Sequence, residues 1–376
     1  MTRARIESLF IVLFAALLLL PALQWKFGLV DVVPLDEHRR MAPRPEGAML
    51  VKLYETDYAK EFERFFNDNY GLRDWFIRAK NQLDYSVFRR SDEVVIGDDD
   101  WLEYQTLAKA ESINVDRMTD AEMAQVMANV DAFVAAAKQQ GATVVMMPVQ
   151  TKFAVYPDLA PRSWPHRPPQ TGYRRLLALL GERHVEFIDA TAVLTLAREK
   201  HQVFHKTDFH WNEFGGYAAA GAIVELLSKR EGLPQRWDPE PQFQLTPGFV
   251  GGLNRSLAVF SPPLEDTITL ALPEGFQGEF IAAEPPYNTH YLAAPTGAEG
   301  LLPSTLFVGN SYADGYFRPA GLYQRFREAR VVHMNEFHSL PPRLPPGVKY
   351  VVMQFLEVNI NVNLQNPAWW PKLSSE

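Results

Sequence analysis

The strongest constraint on the fold is an alternation of helical and strand-like patterns that runs from residue 119 to residue 355. Residues Thr119 to Glu122 have the sequence of a capping box, which predicts a helix that begins there and ends at Gly141. The almost wholly apolar residues 143–147 follow, and Pro148 is expected to end this buried strand. The pattern then continues with helices at 173–180, 190–200 and 213–230 and with strands at 185–188, 306–308, 331–333 and 350–355. Such an alternation predicts an α/β domain with a mostly parallel sheet flanked by helices.

A candidate nucleophile lies at the end of one of these predicted strands. The apolar run at 306–308 passes directly into Gly309, Asn310 and Ser311. Functional sites in parallel sheets form at the carboxyl ends of the strands, which is where Ser311 is expected. A serine hydroxyl is a poor nucleophile unless a neighbouring base removes its proton. The sequence must therefore also supply a base.

A dense cluster of titratable side chains lies in the segment 201–212, which contains three histidines and an aspartate. In an extended loop, residues two positions apart point in the same direction, so Asp208 can lie beside His210. A carboxylate in that position orients an imidazole and stabilises its protonated form, as in a nucleophile triad. We therefore predict Ser311 as the nucleophile, His210 as the base and Asp208 as its orienting group. Backbone N–H groups near Ser311 and the amide of Asn310 are the candidate oxyanion donors.

The same cluster admits a metal-site interpretation. His201, His205, Asp208 and His210 are residue types that bind zinc, so a zinc site is the alternative to the triad. The chain has no cysteine, which excludes disulfides, thiolate catalysis and cysteine-bound zinc. Its net charge of -8 argues against binding that tracks the phosphates of a nucleic acid. With the triad as the working prediction, neither a metal nor a cofactor is expected.

The amino terminus predicts a membrane or export segment. Arg3 and Arg5 precede an apolar run at 9–20, and the span can be extended to residues 8–30. The run is not followed by a small-residue cleavage site, so we expect a retained signal-anchor at residues 1–30, with a cleaved signal peptide as the alternative. The basic residues at its start would keep the amino terminus in the cytoplasm and place the rest of the chain outside.

Further segments complete the predicted organisation. Residues 31–57 are proline-dotted and charged, which is typical of a linker, and residues 58–376 are expected to form the folded domain. Within the helical stretch 58–88, an aromatic and apolar stripe at three-to-four spacing is expected to pack in the core. The stripe consists of Phe62, Phe65, Phe66, Tyr70, Trp75, Phe76 and Leu83. Residues 94–104 have the pattern of a β-hairpin. Residues 242–303 are rich in proline and glycine and are expected to form loops or a small β insertion that shapes a cleft.

Several blocks of the sequence, in order, resemble the alginate O-acetyltransferase proteins of the AlgJ/AlgX type, which carry an SGNH-hydrolase-like domain. The blocks are residues 62–73, Val95-Ile96-Gly97 with Trp101-Leu102, residues 148–152, Thr207-Asp208-Phe209-His210-Trp211-Asn212 and Gly309-Asn310-Ser311-Tyr312. The resemblance spans residues 58–357. The chain ends soon after its last predicted strand, so the membrane-anchored AlgJ-like branch is expected rather than the type with an added carbohydrate-binding module.

The resemblance implies an SGNH-hydrolase-like fold in which the motif order Asp, His, Ser is circularly permuted. It implies that Ser311 accepts an acetyl group and passes it to hydroxyls of an exopolysaccharide, alginate or a similar polymer, during export. The implied acetyl donor is a membrane-bound O-acyltransferase, and the implied location is the periplasm, at the inner membrane. Asn310, Tyr312, Trp211 and Lys152 are expected to bind the substrate or to stabilise the oxyanion.

The residues after the nucleophile have two interpretations, since Tyr312, Tyr316 and Phe317 either stack on sugar rings or pack in the core. Two positions depart from the family pattern, because Asn310 stands where the family has aspartate and Val358 stands where it has arginine. Two alternatives to the transferase stay open. A carbohydrate acetylesterase would use the same three residues with water as the acceptor, and a polysaccharide-binding scaffold would keep the fold without catalysis.

Overall fold

The computed structural model describes residues 3–37, 39–46, 56–109, 114–162, 164, 170–235, 237–271, 278–294 and 300–374. The first two residues of the predicted signal-anchor, and residues 38 and 47–55 of the predicted linker, lie outside the described residues. The helices in chain order are α1 (Arg3–Phe27), α2 (Thr56–Asn69), α3 (Arg73–Phe88), α4 (Gln105–Lys109), α5 (Asp120–Gln139), α6 (Lys152–Val155), α7 (Gly172–Glu182), α8 (Ala190–Ala197), α9 (Glu213–Glu231), α10 (Gly252–Leu257) and α11 (Ser311–Phe317). The strands in chain order are β1 (Val94–Ile96), β2 (Leu102–Tyr104), β3 (Thr143–Val149), β4 (Glu186–Phe187), β5 (Phe243–Phe249), β6 (Glu265–Leu270), β7 (Gly278–Ile281), β8 (Tyr287–Ala293), β9 (Thr305–Gly309), β10 (Glu328–His333) and β11 (Tyr350–Leu356).

The central sheet has seven strands in the order β4-β3-β11-β9-β10-β8-β7. Strands β4, β3, β11, β9 and β10 are parallel to one another, whereas β8 pairs antiparallel with β10 and β7 pairs antiparallel with β8. The sheet is therefore mixed, which corrects the prediction of a mostly parallel sheet. The difference arises in the proline- and glycine-rich segment 242–303, because an antiparallel hairpin can extend a sheet edge without a helical crossover. The same segment forms a separate two-stranded sheet from β5 and β6.

The parallel strands at the centre of the sheet are buried on both faces, which explains their continuous apolar sequences. Every residue of β9 and of β11 is buried. Alternate side chains of β11 enter different cores, because Val352 packs in the cluster that includes α9 and α11, whereas Val351 packs in the cluster that includes α5 and α7. The strands β3, β9, β10 and β11 run in the same direction, so their carboxyl ends meet along one edge, and Ser311 follows β9 at that edge.

Pro148 lies inside β3, whereas the sequence predicted that the strand would end before it. The β4 strand pairs with β3 only at Val145 and Met146, so the edge of β3 is open beside Pro148. On the opposite side, the backbone N–H of Glu357 donates to the carbonyl of Val149 at 2.9 Å. Neighbouring residues of a strand face opposite partners, so Pro148 faces the open edge and its missing N–H removes no ladder bond.

Helix α5 begins with the predicted capping box. Thr119 Oγ1 accepts the backbone N–H of Glu122 at 3.2 Å, and Glu122 Oε2 accepts the backbone N–H of Thr119 at 2.7 Å. These bonds satisfy N–H groups that the start of a helix otherwise leaves without a partner. The predicted hairpin at 94–104 also forms, as the antiparallel pair β1 and β2. Both features depend on short stretches of sequence, which is why they were predictable.

The described chain divides into two compact units. The first contains the described residues among 1–91 and 254–262, and the second contains those among 92–253 and 263–376. The seven-stranded sheet belongs to the second unit. In the first unit, Arg5–Phe27 of α1 is long and apolar enough to cross a membrane, and none of its most apolar window is buried. The domain boundaries placed after residues 30 and 57 remain predictions.

The aromatic stripe of α2 and α3 is only partly a core feature, which corrects the expectation that it packs inside. Phe65 of the stripe is buried. Other members of the stripe are exposed, namely Phe66, Trp75, Phe76 and Leu83. A pair of helices buries only the faces that meet each other or a third element. One such element is the end of α1, where the ring centroids of Trp25 and Phe65 lie 5.8 Å apart.

Candidate active site

The segment 203–212 folds into a tight loop that presents His210. The two ends of the loop are joined by a hydrogen bond from the backbone N–H of Asn212 to the carbonyl of Val203, at 3.0 Å. Asn212 then caps α9, because its Oδ1 accepts the backbone N–H of Gly215 at 2.9 Å. His210 is therefore held between a closed loop and the start of a helix.

Ser311 is the first residue of α11, directly after β9, and its side chain is exposed. Asn310 caps this helix, because its Oδ1 accepts the backbone N–H of Tyr312 at 3.0 Å. The turn needs glycine at Gly309, where a Cβ atom would lie 2.5 Å from the Cβ of Ala313. An aspartate caps a helix in the same way as an asparagine, so the departure from the family pattern at Asn310 preserves the turn.

Ser311, His210 and Asp208 form a continuous chain of hydrogen bonds. His210 Nε2 lies 2.7 Å from Ser311 Oγ, and His210 Nδ1 lies 2.7 Å from Asp208 Oδ1. An ionised carboxylate can only accept hydrogen bonds, so the contact with Asp208 assigns the ring proton to Nδ1. Nε2 is then free to accept the proton of the Ser311 hydroxyl. The structure thus brings together three residues that sequence reasoning selected, although His210 and Ser311 are 101 positions apart in the chain.

Asp208 is held in its ionised form by the groups around it. Burial alone would raise the pKa of this carboxyl, but the hydrogen bond and the charge of His210 outweigh burial. The backbone N–H groups of His210 and Gly252 also donate to its two oxygens, at 3.0 and 2.7 Å. Together these donors hold the pKa of Asp208 well below its usual range. Such a carboxylate can stabilise an imidazolium at His210.

A buried ammonium group holds the loop from its carbonyl side. Lys152 Nζ donates to the carbonyl oxygens of His205, Lys206 and Asp208 at 2.7, 3.2 and 2.6 Å. An ammonium group has three N–H donors, so these carbonyls use all of them. Lys152 is completely buried, in the first turn of α6. The structure therefore places Lys152 behind the loop, which differs from its expected position against the substrate.

A carboxylate holds the same loop from its N–H side. Glu265, at the start of β6, accepts the backbone N–H groups of Lys206 and Thr207, each at 2.7 Å, and the Thr207 hydroxyl at 2.8 Å. Glu265 is also buried. We call Lys152 and Glu265 the loop clamp. The clamp gives hydrogen-bond partners to buried backbone groups of the loop. Without a partner, each of these groups would destabilise the fold by about 1–3 kcal/mol.

A second buried carboxylate, Glu103 of β2, completes the charges around the clamp. Burial raises the pKa of Glu103 to about 7, and the charge of Lys152 opposes that rise. Burial likewise lowers the pKa of Lys152 to about 8, and the charges of Glu103, Glu265 and Asp208 oppose that fall. Removal of one of these charges would leave the others uncompensated in a region that excludes water.

The remaining residues predicted around the nucleophile lie beneath it. Trp211, Tyr312, Tyr316 and Phe317 are all buried. The hydroxyl of Tyr312 donates to the carbonyl of Phe209 at 2.5 Å, and its ring packs against Trp211 with the centroids 4.9 Å apart. These side chains belong to the core on the inner side of α11. The structure therefore favours core packing over sugar stacking for Tyr312, Tyr316 and Phe317.

The histidines of the zinc alternative face different partners. His201 packs edge-on against Phe214 with ring centroids 4.8 Å apart, and His205 stacks on Phe249 at 4.3 Å. Among the described residues, which include all four of the proposed ligands, no group of three or more His, Asp or Glu side chains could hold a metal ion. The structure gives the zinc alternative no support at this loop.

Sequence reasoning missed Glu265, Gly252 and Glu103. Glu265 and Gly252 lie in the segment 242–303, which shows neither a helix period nor a strand period, so no pattern marks them. Glu103 lies in a predicted strand between Leu102 and a tyrosine, where simple alternation places it on the solvent side. Its burial depends on the elements that pack around β2, which local sequence does not reveal.

Known proteins are similar to this chain in sequence and in fold. Residues 94–334 match the family model of the SGNH hydrolase-like domain of acetyltransferase AlgX. The chain is 27% identical to the probable alginate O-acetylase AlgJ of Pseudomonas putida over 320 residues, which cover 80% of this chain and 74% of that protein. It is 25% identical to the probable alginate O-acetylase AlgJ of Pseudomonas syringae pv. tomato over 188 residues, and this match spans 48% of this chain and only about half, 46%, of that protein.

A solved structure gives the same answer for the fold. The structure of Bacillus cereus PatB1 with a sulfonyl adduct aligns with 74% of this chain and 99% of that chain, with a TM-score of 0.56 and 12% sequence identity. At that identity the likeness shows the fold alone. The match to residues 94–334 includes Asp208, His210 and Ser311 and confirms the resemblance drawn from the motifs. The chain belongs to the AlgX family of SGNH hydrolase-like acetyltransferase domains.

Proposed function

We propose that this chain is an O-acetyltransferase that carries an acetyl group on Ser311 and passes it to hydroxyls of an exopolysaccharide, alginate or a similar polymer, during export. The observation that carries the proposal is the hydrogen-bonded chain from Ser311 Oγ through His210 to Asp208. The family of the chain supports it, as do the names of its relatives, which are probable alginate O-acetylases.

The first half-reaction forms an acetyl ester on Ser311. His210 Nε2 removes the hydroxyl proton as Oγ attacks the carbonyl carbon of the acetyl donor, and a tetrahedral oxyanion forms. The bond from this carbon to the leaving group of the donor then breaks, and His210 gives the proton to the leaving group. The backbone N–H of Ser311 and the side-chain N–H of Asn310, whose Oδ1 already caps α11, are the proposed donors to the oxyanion.

The second half-reaction moves the acetyl group to the polymer. A sugar hydroxyl gives its proton to His210 and attacks the ester carbonyl, the bond to Ser311 Oγ breaks, and the proton passes to Oγ. Asp208 stays ionised and stabilises the imidazolium in both half-reactions. The free enzyme is then restored, and every proton in the scheme is moved by His210.

An acetylesterase is the second candidate function. The Ser311 side chain is exposed, so water can reach the acetyl ester and take the place of the sugar hydroxyl. Incubation of the full chain with an acetyl ester and an oligosaccharide separates the functions. A transferase yields acetylated oligosaccharide, an esterase yields only acetate, and a non-catalytic scaffold yields neither.

The acetyl donor and the location form part of the same proposal. We place the protein on the periplasmic face of the inner membrane, anchored by α1, with a membrane-bound O-acyltransferase as the acetyl donor. The apolar segment Arg5–Phe27 supports the anchor. The donor follows from the location, because acetyl-coenzyme A is not expected outside the cytoplasm. A cleaved signal peptide is the alternative for the same segment.

Lys152 and Glu265 are proposed to act as positioning residues for the base. Their polar contacts fix the carbonyl oxygens and the N–H groups of the loop that carries Asp208 and His210. The ring of His210 can move only as far as this loop allows. The loop clamp therefore keeps Nε2 within reach of the Ser311 hydroxyl, although neither clamp residue has a role in moving the proton.

Ser311→Ala should abolish covalent acetylation of the protein, because the acceptor oxygen is gone. After exposure of the full chain to p-nitrophenyl acetate, mass spectrometry should find an added mass of about 42 Da on wild type and on the control Ser339→Ala, an exposed serine. His210→Ala should slow the formation of this adduct by about 10²–10⁴-fold, the usual contribution of a general base. An adduct that forms at the wild-type rate in Ser311→Ala would contradict the proposal.

Lys152→Met should lower the free energy of unfolding by about 3–5 kcal/mol, because three buried carbonyls lose their donor and the carboxylates around Lys152 lose the opposite charge. The rate of Ser311 acetylation should also fall, since the loop that holds His210 relaxes. Lys200→Met, which changes an exposed lysine, should alter neither quantity. Chemical unfolding and adduct kinetics measure the two effects. A destabilised Lys152→Met protein that acetylates Ser311 at the wild-type rate would limit Lys152 to a structural role.

Acid should destabilise the protein partly through Asp208. Its pKa is lower in the folded chain than in the unfolded chain, so the carboxylate contributes stability above its unfolded pKa of about 3.9 and loses that contribution as the pH falls toward the folded pKa. Below about pH 4, the free energy of unfolding should therefore fall more steeply for wild type than for Asp208→Asn. Urea unfolding over a pH series tests this, with Asp266→Asn, an exposed residue of β6, as the control. Parallel curves for wild type and Asp208→Asn would count against the assigned shift.

A further inference from the structure

The end of α1 packs against the turn between α2 and α3 within the first unit. The ring centroids of Trp25 and Phe65 lie 5.8 Å apart. At Gly71, a Cβ atom would lie 2.2 Å from the carbonyl oxygen of Pro21 and 2.6 Å from the backbone nitrogen of Trp25, so only glycine allows this approach. The turn is therefore in direct contact with the last two turns of α1, which ends at Phe27.

This contact sets the depth of the turn relative to a membrane, and the inference rests on the proposed anchoring by α1. A helix rises about 1.5 Å per residue, so the 23-residue segment Arg5–Phe27 is about 34 Å long, slightly more than a hydrocarbon core of about 30 Å. Pro21 lies about 9 Å from the end of that segment. When α1 spans the membrane, this segment extends about 2 Å beyond each side of the hydrocarbon core, so Trp25 lies close to the core boundary and Pro21 about 7 Å inside it. The turn between α2 and α3 therefore lies at the boundary between the hydrocarbon and the lipid headgroups.

Helix α3, which begins at this turn, exposes a row of apolar side chains. Phe76, Leu83 and Val87 are seven and four positions apart, so they lie on one face of the helix. They are 37%, 56% and 61% exposed, and Phe88 at the end of the helix is 57% exposed. We call these four residues the α3 apolar face. Contiguous exposed apolar side chains mark a surface that binds a membrane or another molecule.

Basic side chains border the α3 apolar face. Lys80 lies four positions after Phe76 and three positions before Leu83, and Arg89 and Arg90 follow the helix directly. Lys80 and Arg90 both pair with Asp84, at 3.1 and 2.7 Å, so the three basic residues and this one carboxylate leave a net positive charge beside the face. A helix with an apolar face and basic neighbours is typical of the membrane interface, because the apolar groups enter the acyl boundary while the cations meet anionic headgroups.

We propose that the α3 apolar face lies on the phospholipid surface, on the side of the membrane that carries the folded domain. Lipid is the occupant that fits, because α3 starts at the hydrocarbon boundary that its contact with α1 fixes. In addition, the three basic residues that border the face outnumber Asp84, the acidic residue among them, so a positive charge is left to meet anionic lipid. The first unit is then a membrane-bound platform in which α1 crosses the bilayer and α3 rests on it. A flexible tether would impose no such depth on α3.

The absence of cysteine from the chain makes a direct test possible, since one introduced cysteine carries one spin label. Leu83→Cys and Val87→Cys change exposed side chains, so the fold should persist in both full-length variants. Each is labelled and reconstituted into vesicles of phosphatidylethanolamine and phosphatidylglycerol. We expect the labels to collide more with oxygen than with a water-soluble nickel chelate. Leu196→Cys is the matched control, because Leu196 is apolar and 76% exposed on α8 of the second unit, and its label should show the reverse preference.

A fourth variant, Leu18→Cys in α1, separates this inference from the anchor on which it rests. Nickel access at Leu83 and Val87 equal to that at Leu196, with the Leu18 label in lipid, would overturn the inference and leave the anchor intact. A water-exposed Leu18 label would show that the anchor itself is wrong. Labels on α3 that are shielded from both reagents would also overturn the inference, because a protein surface would then cover the face. Acetylation of Ser311 in the same vesicles tests the transferase separately.

Discussion

The geometry of the candidate active site depends on two buried charges that grip one loop. The ammonium group of Lys152 takes three carbonyl oxygens, and the carboxylate of Glu265 takes two N–H groups and a hydroxyl. The backbone N–H and C=O groups of a loop are normally hydrogen-bonded to water, and such a loop is mobile. A general base needs a fixed position, so the loop that carries it needs partners within the protein. The two opposite charges provide these partners, because the ammonium group donates to the carbonyl oxygens and the carboxylate accepts from the N–H groups. Asp208 and His210 lie on the loop that these two residues hold.

The parts of the site that were predictable from sequence are those that depend on near neighbours. The capping of α11 by Asn310 and the burial of β9 before it follow from short runs of residue types. The pairing of His210 with Asp208 was predicted from a spacing of two in an extended loop, and the structure forms the same pair in a tight loop. The meeting of His210 with Ser311 is a long-range contact, and it was indicated by the rule that parallel strands place their carboxyl ends along one edge and by the order of the motifs.

The parts that were not predictable depend on pairing across distance. Whether β8 adds to β10 is decided by which edge is free in the assembled sheet, and no periodicity within 242–303 records that edge. In the sequence, Glu265 cannot be distinguished from an exposed charged residue, because the loop that it binds lies about 60 positions earlier in the chain. Tyr312 and Tyr316 illustrate a different limit, because proximity to the nucleophile in sequence says nothing about which side of α11 they occupy. Their spacing of four puts both on the buried side.

The chain from the start of α10 to the start of β6 contacts the loop at both of its ends. The chain leaves the second unit after Leu253 and returns at Pro263, and residues 254–262 belong to the first unit. At the point of departure, the backbone N–H of Leu253 donates to the carbonyl of Thr207 at 3.2 Å, and two residues after the return Glu265 grips the same loop. Both ends of this excursion are thus fastened to the segment that aims the imidazole.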